Sequence, residues 1–195
     1  MSAHVLIAGG GPVGLVSALV LGQAGVAVTL VESSAELNRD LRASTFHPPT
    51  LDMLAPFGLT SKLVAQGLVA RYTQQRDRKD GVIAEFDLDL LKGHTDHPFR
   101  LQCEQWKLAD LIKQELERLP HVKLLFSTRL ESVVQTGDKV TAMVNTEGES
   151  HPIEADYMIG CFFDRFHAQW TAADIAWFED LIEEDDVEIM AWALG

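Results

Sequence analysis

Cysteine, basic residues and long apolar runs are all scarce in this sequence, and each shortage excludes a class of protein. The only cysteines, Cys103 and Cys161, form neither a metal-ligand spacing nor a disulfide framework, so buried or semi-buried free thiols are the favoured interpretation. No apolar run reaches the ~20 residues that a membrane span needs. The opening residues lack the basic stretch and the small-residue cleavage site of a signal peptide. We therefore expect a cytoplasmic protein with no membrane span.

Basic residues are outnumbered by acidic ones. Lysine and arginine together number 16, against 29 aspartates and glutamates, and the formal net charge is −13. A nucleic-acid partner requires a stripe of basic side chains that neutralises phosphates, and no such stripe is visible. We therefore expect no nucleic-acid partner.

The negative charge is concentrated at the C-terminal end. Residues 162–195 contain nine acidic residues against a single base, Arg165, and three of the four tryptophans. Glycine is also missing from this stretch until Gly195. The change in composition predicts a domain boundary at Cys161, with domains of residues 1–161 and 162–195.

The chain begins with an apolar run that enters a glycine-rich loop. The run is His4 to Ala8, and Gly9, Gly11 and Gly14 then satisfy the pattern G-x-G-x-x-G. In a dinucleotide-binding loop, the first glycine permits a tight turn and the second lets the main chain approach a pyrophosphate. The third lets the following helix lie close to the sheet. An empty glycine turn in an ordinary βαβ unit is the competing interpretation.

A helix is predicted directly after this loop. Pro12 and Val13 open it, and a proline costs little there because its missing N–H would have no helical partner. The free N–H groups and the positive end of the helix receive phosphate charge. Small residues recur every fourth position through Ala18 and Gly22, which permits close packing along one stripe. Gly25 ends the helix.

The next strand is a β-branched run that ends at Glu32, about twenty residues after the loop. A carboxylate there can accept hydrogen bonds from both hydroxyls of an adenosine ribose. Because the residue is acidic rather than basic, the pattern favours FAD or NAD over NADP.

A second segment bears on which of these two cofactors, FAD or NAD, the pattern favours. After the second strand the chain reads "RDLRASTFHPPTLDMLAPFGL". Together with the glycine loop, this segment resembles the FAD-dependent aromatic hydroxylases related to para-hydroxybenzoate hydroxylase, in which an Arg-Ala-Ser/Gly turn precedes a Pro-Thr-Leu helix. The similarity runs from about His4 to Cys161 and implies that Arg42 lies beside the FAD pyrophosphate. Arg39 is interpreted as a solvated loop charge.

A third segment, "EQWKLADLIKQELERL", is similar to the Gln-x-x-Leu-x-x-x-Leu helix of the same family. The resemblance implies that Gln105 lies near the flavin, while Leu108, Leu111 and Ile112 supply a buried stripe at helical spacing. The sequence differs from many relatives in carrying Ala109 where they have an acid. An ordinary polar residue at a helix start is the alternative interpretation of Gln105.

The remaining patterns complete the fold that the resemblance implies. A hairpin turn is predicted at Asp80–Gly81, and a strand followed by a three-stranded meander with turns at Gly137–Asp138 and Glu147–Gly148. The final "YMIGC" is expected to return as a parallel strand beside the first. The fold class is therefore α/β: a Rossmann-like, glutathione reductase-type FAD-binding domain with a β-meander, plus a short all-α C-terminal tail. His94 and His97 fall in a loop and are interpreted as surface residues rather than metal ligands.

The resemblance stops at Cys161. In the family, this strand leads into a Gly-Ala-Asp-Gly-Ala-Arg-Ser type loop that helps to hold FAD, but here Phe162 and Phe163 replace its Asp-Gly pair. The later substrate-covering elements are missing as well. The resemblance implies FAD as cofactor, a reduced pyridine nucleotide, NADH or NADPH, as reductant, and a small aromatic substrate for a complete relative. We expect this chain alone to be weakly active or inactive, and no residue is nominated as catalytic.

The tail has apolar residues at helical spacings and an acidic run that is interpreted as helix caps and solvated faces rather than a calcium site. Its ending, "DVEIMAWALG", is similar to the end of the small helical FAD assembly factor of succinate dehydrogenase. The Arg-Gly-x-x-Glu motif by which that family engages its flavoprotein client is absent. Three functions stay open: an FAD-binding, monooxygenase-like oxidoreductase; a non-enzymatic module whose tail contacts a flavoprotein partner; and a fusion product without an evolved function.

Overall fold

The computed structural model describes residues 3–39 and 43–160. The described residues fall almost wholly within the first of two units into which the chain divides, Met1–Ile159. The expectations for Arg42, for Cys161 and for the helical tail of residues 162–195 lie outside the described residues.

Helices and strands alternate in the first half of the described chain, and strands dominate the second half. The helices in these ranges are α1 (Pro12–Gln23), α2 (Pro48–Leu54), α3 (Leu59–Val64) and α4 (Gln105–Leu116). The strands are β1 (His4–Ala8), β2 (Ala27–Val31), β3 (Thr45–Phe46), β4 (Leu68–Ala70), β5 (Tyr72–Asp77), β6 (Gly81–Asp87), β7 (Arg100–Gln102), β8 (Val122–Leu125), β9 (Thr128–Thr136), β10 (Lys139–Thr146), β11 (Glu149–Ala155) and β12 (Tyr157–Gly160).

The sheet that carries the glycine loop has the strand order β12-β1-β2-β8. β1 pairs in parallel with β2, with His4 opposite Ala27, and β2 pairs in parallel with β8, with Val28 opposite Val122. A parallel pair requires a crossover connection, and α1 supplies it between β1 and β2. The carboxyl ends of β1 and β2 therefore meet at one edge of the sheet, where ligands bind in open α/β sheets.

α1 lies against β2 and α4. Pro12 occupies its first turn, and Gly25 follows its end with φ of 79°, a left-handed conformation that favours glycine. Its buried residues are Gly14, Leu15, Ala18, Leu19 and Gly22. The predicted stripe of small residues is thus the face that packs into the core.

The core is built mainly from leucine and other aliphatic side chains of the main sheet and the four helices. Its fully buried members include Ile7, Leu15, Leu19, Leu30, Leu51, Leu54, Leu59, Leu63, Leu101, Ile112 and Leu116. α4 contributes Leu108 and Ile112 to this cluster, and Leu111 is partly buried against it. The predicted apolar stripe of α4 therefore faces the core.

Three smaller sheets complete the described part of the chain. They are the meander β11-β10-β9, the three-stranded sheet β3-β7-β4 and the hairpin β5-β6. The predicted turns lie between the expected strands, and Gly81, Gly137 and Gly148 all have positive φ. β12 lies beside β1 as expected, so the predicted α/β class with its meander is confirmed. The sheet β3-β7-β4 was not predicted.

Candidate functional site

The glycine loop joins the end of β1 to the start of α1. Gly9 has φ of 112°, which strongly favours glycine, and its N–H donates to the Val31 carbonyl at 2.8 Å. Gly11 caps α1 with φ of −71° and ψ of 174°, and its carbonyl accepts from the Leu15 N–H at 2.9 Å. N–H groups in the first turn of a helix have no partner within the helix. The loop therefore directs main-chain donors and the positive end of α1 toward the edge of the sheet.

Two glycines of the loop meet opposite surroundings. A Cβ added at Gly14 would lie 2.1 Å from the Gly9 carbonyl oxygen, so this glycine is required by the protein's own packing. A Cβ added at Gly11 would meet nothing within 4 Å. The space beside Gly11 is therefore available to a ligand, and a phosphate group fits it because the surrounding donors are main-chain amides.

Glu32 follows β2 directly and its carboxylate turns toward the glycine loop. One oxygen, Oε2, accepts from the Gly10 N–H at 2.7 Å, and the other, Oε1, accepts from the Ser34 N–H at 2.8 Å. The Ser33 hydroxyl also donates to Oε1 at 3.3 Å. Burial alone would raise the pKa of Glu32, but these hydrogen bonds from Ser34, Gly10 and Ser33 outweigh it and lower the pKa below its ordinary value. The carboxylate stays ionised at neutral pH.

The start of α4 forms the opposite side of the site. The Gln105 N–H donates to the Ala43 carbonyl at 3.0 Å, and Gln105 is one of the residues that line the cavity described below. Trp106 is the next residue, and two cations lie over its ring: the Arg39 guanidinium carbon at 5.3 Å and the Lys107 Nζ at 5.8 Å from the ring centre. Such cation–π contacts hold an aromatic side chain in place.

A cavity of about 260 Å³ connects these elements. Its lining residues are Gly10, Gly11, Pro12, Glu32, Ser34, Leu37, Asn38, Gln105, Trp106 and Ala109. Pockets that enclose a whole small molecule typically measure ~300–1,000 Å³, so this cavity accommodates part of a dinucleotide rather than all of it.

The structure brings four of the predicted site residues to this cavity: Gly11, Pro12, Glu32 and Gln105. Gly9, Val13 and Gly14 belong to the loop and the first turn of α1 without lining the cavity, and the Val13 side chain is exposed. Any contribution from Val13 and Gly14 is therefore made by main-chain groups.

Sequence reasoning missed six of the lining residues. Gly10, Trp106 and Ala109 adjoin predicted elements, and Trp106 and Ala109 share the helix face that begins at Gln105. Ser34, Leu37 and Asn38 come from the segment after Glu32, where no periodic pattern indicates which residues line a cavity. Of these six residues, only Trp106 and Ala109 could have been found from the sequence, through their helical spacing along α4.

Two further predictions concern metal ligands and thiols. His97 lies beside Asp52, with Nδ1 2.6 Å from Oδ1, and the Thr95 hydroxyl donates to the other carboxylate oxygen at 2.6 Å. Within residues 3–39 and 43–160, no group of three or more His, Cys, Asp or Glu side chains is placed to hold a metal ion. Cys103 is a buried free thiol, and burial raises its pKa.

Two family models match the chain. The model described as "FAD binding domain" matches residues 2–167, and the model described as "Flavinator of succinate dehydrogenase" matches residues 152–195. Both resemblances inferred from sequence motifs are thereby confirmed.

The chain is also similar to curated monooxygenases. It is 31% identical over 154 residues to para-nitrophenol 4-monooxygenase of Pseudomonas sp. (strain WBC-3), covering 79% of this chain and 38% of that protein. It is 31% identical over 160 residues to 6-hydroxy-3-succinoylpyridine 3-monooxygenase of Pseudomonas putida (strain DSM 28022 / S16), covering 82% of this chain and 41% of that protein. The chain therefore spans about two fifths of the length of these relatives.

Solved structures are similar to this chain as well, and the chain again covers only part of each. The p-nitrophenol 4-monooxygenase of Pseudomonas putida DLL-E4 superimposes with a TM-score of 0.78 at 30% identity, covering 82% of this chain and 40% of that one. The anhydrotetracycline hydroxylase of Streptomyces rimosus superimposes with a TM-score of 0.70 at 27% identity, covering 83% of this chain and 32% of that one.

The parallel sheet, the glycine loop and the acid after β2 define a dinucleotide-binding α/β protein. Because the first family model matches most of the chain, the chain belongs to the FAD binding domain family. No helix in the described ranges combines the length and the apolarity that crossing a membrane would take.

Proposed function

We propose that this chain binds FAD in the cavity between the glycine loop and α4. The observation that carries the proposal is the pairing of open space at Gly11 with the Glu32 carboxylate at the same cavity. Main-chain amides at the start of α1 would hold the diphosphate, and the Glu32 carboxylate would accept from the adenosine ribose. Membership of the FAD binding domain family supports FAD over NAD.

The remaining predicted residues have roles in the same proposal. Gly9 shapes the turn, Pro12 and Val13 begin the helix that faces the phosphates, and Gly14 allows the helix to approach the sheet. Gln105 lines the cavity and would position the flavin end of the cofactor. Arg42 is assigned to the pyrophosphate by family resemblance.

We further propose that a complete protein of this kind is a monooxygenase-like oxidoreductase of a small aromatic substrate. The named activities of the relatives support this class. FAD supplies redox chemistry that amino-acid side chains lack. NADH or NADPH is the proposed reductant and the cytoplasm the proposed location. Because the chain spans about two fifths of those relatives, we expect residues 1–161 to act as a binding domain with little or no hydroxylase activity alone.

The visible spectrum of the purified protein tests the cofactor. An oxidised flavin absorbs near roughly 370 and 450 nm, so we expect both bands after equilibration with FAD and gel filtration. Equilibration with NAD is the control and should leave no bound nucleotide, as read from the ultraviolet absorbance because NAD has no visible band. A protein that stays colourless and takes up no FAD would contradict the proposal.

A second candidate function rests on the match of residues 152–195 to the flavinator of succinate dehydrogenase. It is a non-enzymatic assembly or interaction module that contacts a flavoprotein through its acidic C-terminal residues. Capture of a succinate dehydrogenase flavoprotein subunit by the whole chain, but not by a chain ending at Cys161, would support it. Equal capture by the two chains, or capture by neither, would count against it.

A further inference from the structure

The segment Ser33–Arg39, here called the wall segment, separates two depressions. On one side Ser34, Leu37 and Asn38 line the 260 Å³ cavity. On the other side a larger depression of about 610 Å³ is lined by Ala35, Glu36, Leu37 and Arg39, together with residues of α4 and β8. Leu37 lines both spaces. The wall segment is therefore thin, and the space behind it would allow it to move outward.

The wall segment is attached at its start, its middle and its end. At the start, the Ser34 N–H donates to Glu32 and the Ser34 carbonyl accepts from the Ser127 N–H at 2.9 Å. In the middle, the Leu37 side chain is buried, with 7% of its surface exposed. At the end, Arg39 reaches across to α4.

The contact of Arg39 with α4 has two parts. The Arg39 Nη2 donates to the Asp110 Oδ2 at 3.1 Å, and the guanidinium carbon lies 5.3 Å from the centre of the Trp106 ring. Trp106 and Ala109 line the cavity, and Asp110 lines the larger depression. Arg39 thus joins one wall of the cavity to the helix that forms the opposite wall, and it is more than a solvated loop charge.

We propose that Arg39 is a positioning residue that latches the wall segment to α4 through Asp110 and Trp106, and thereby slows release of the nucleotide. This inference rests on the proposed binding of FAD in the same cavity. Loss of the latch lets the wall segment move into the larger depression and opens a path for the ligand. Because the Arg39 side chain is 65% exposed, solvent screening limits the effect to about three- to tenfold in the release rate.

The test compares FAD release from matched variants, measured by dilution of the FAD-loaded protein and flavin fluorescence. Arg39→Ala removes both parts of the latch, and Asp110→Ala removes its ion pair while leaving Arg39 over the Trp106 ring. Arg118→Ala is the control, because Arg118 makes a similar ion pair with Glu115 at 2.8 Å and is similarly exposed, at 68%, but is not among the residues that line the cavity. We expect about three- to tenfold faster release from the first two variants and an unchanged rate from the control, all with the melting temperature of the wild type.

A double-mutant cycle distinguishes a latch from two independent effects. If Asp110 acts through Arg39, the double variant releases FAD little faster than the Arg39 variant alone. Charge reversal, with Arg39→Asp combined with Asp110→Arg, should release FAD more slowly than Arg39→Asp alone. Additive single effects, or no rescue by the reversed pair, would overturn the latch.

Amide hydrogen exchange provides a readout that needs no cofactor. In the nucleotide-free protein, the amides of Ala35–Arg39 should exchange faster in Arg39→Ala than in Arg118→Ala. Equal exchange in the two variants, or equal FAD release from them while the wild type binds FAD, would overturn the inference and leave the proposed function standing. A wild type that binds no FAD would overturn both.

Discussion

Gly9, Gly11 and Gly14 belong to one sequence motif but meet three different constraints. Gly9 has a positive φ, Gly14 lies against the Gly9 carbonyl, and Gly11 has an ordinary backbone conformation beside open space. Only Gly9 and Gly14 are required by the fold of the chain itself. Gly11 is the N-cap of α1, where glycine is favoured over alanine, and the open space beside it is available to a ligand.

This difference predicts the outcome of two alanine substitutions. Gly14→Ala should lower the free energy of unfolding by about 1–3 kcal/mol, because its methyl group would force the loop and α1 apart. Gly11→Ala should change it by at most about 1 kcal/mol, the usual cost of alanine at a helix N-cap. Urea denaturation measures both. Equal stability of the two variants would contradict the assignment of Gly14 to packing.

Glu32 predicts a pH dependence of stability. Its pKa in the folded chain lies below the ordinary value of 4.5, so its stabilising contribution is complete above about pH 4.5 and is lost as the pH falls through the folded pKa. Glu32→Gln should therefore lose stability less steeply than the wild type as the pH falls below about 4.5. Glu36→Gln is the control, because it removes an exposed carboxylate of the wall segment and keeps the Glu32 contacts. Parallel pH profiles for the wild type and Glu32→Gln would refute this role.

At the scale of elements, local patterns predicted the parts of the fold that depend on neighbouring residues. The glycine loop, α1 and β2 are contiguous, and their turn, helix and strand signals agree. The sheet β3-β7-β4 was not predicted, because its strands are only two or three residues long. It pairs Thr45 with Gln102 and Leu68 with the same Gln102, across more than thirty residues in each case. No local pattern records pairing of this kind.

The residues of the candidate site divide in the same way: a local motif predicts some of them, and only tertiary packing brings the others to the cavity. Gly11, Pro12, Glu32 and Gln105 were nominated because each stands at a fixed place in a motif. Leu37 and Trp106 reach the cavity only through tertiary packing, and the Arg39–Asp110 contact joins residues 71 positions apart. Such contacts could not be inferred from spacing.

The unpredicted sheet can be tested through Gly67, which precedes β4. A Cβ at this position would lie 2.7 Å from the Gln102 carbonyl oxygen and 2.9 Å from the Cys103 Cβ. Because main-chain atoms cannot move aside cheaply, Gly67→Ala should lower the free energy of unfolding by about 1–3 kcal/mol. Gln66→Ala, at the exposed neighbouring position, should stay within about 0.5 kcal/mol of the wild type. Two variants of equal stability would contradict the close packing of β4 on β7.

At the scale of the whole molecule, the net charge of the sequence and the family model that matches it both change near Cys161. The formal net charge of −13 divides into −8 for residues 162–195, which have nine acids and one base, and −5 for the remainder. The two family matches overlap over residues 152–167. These observations support the proposed division into an FAD-binding domain, residues 1–161, and a separate acidic tail.

This division predicts that a chain ending at Cys161 keeps the FAD affinity of the whole chain within about twofold. The described cavity residues all precede that point. Isothermal titration of both chains with FAD measures the comparison, and circular dichroism checks that the shorter chain is folded. A folded shorter chain without FAD affinity would show that the tail takes part in the cofactor site.

The central claim is that the open space beside Gly11 receives the diphosphate of FAD. Titration of the whole protein with FAD, followed by flavin fluorescence, tests it most directly when wild type and Gly11→Val are compared at matched folded concentration. We predict saturable binding of one FAD per chain by the wild type and loss of that binding in Gly11→Val, whose side chain occupies the approach to the loop amides. Unchanged FAD affinity in a folded Gly11→Val, or no binding by the wild type, would contradict the account.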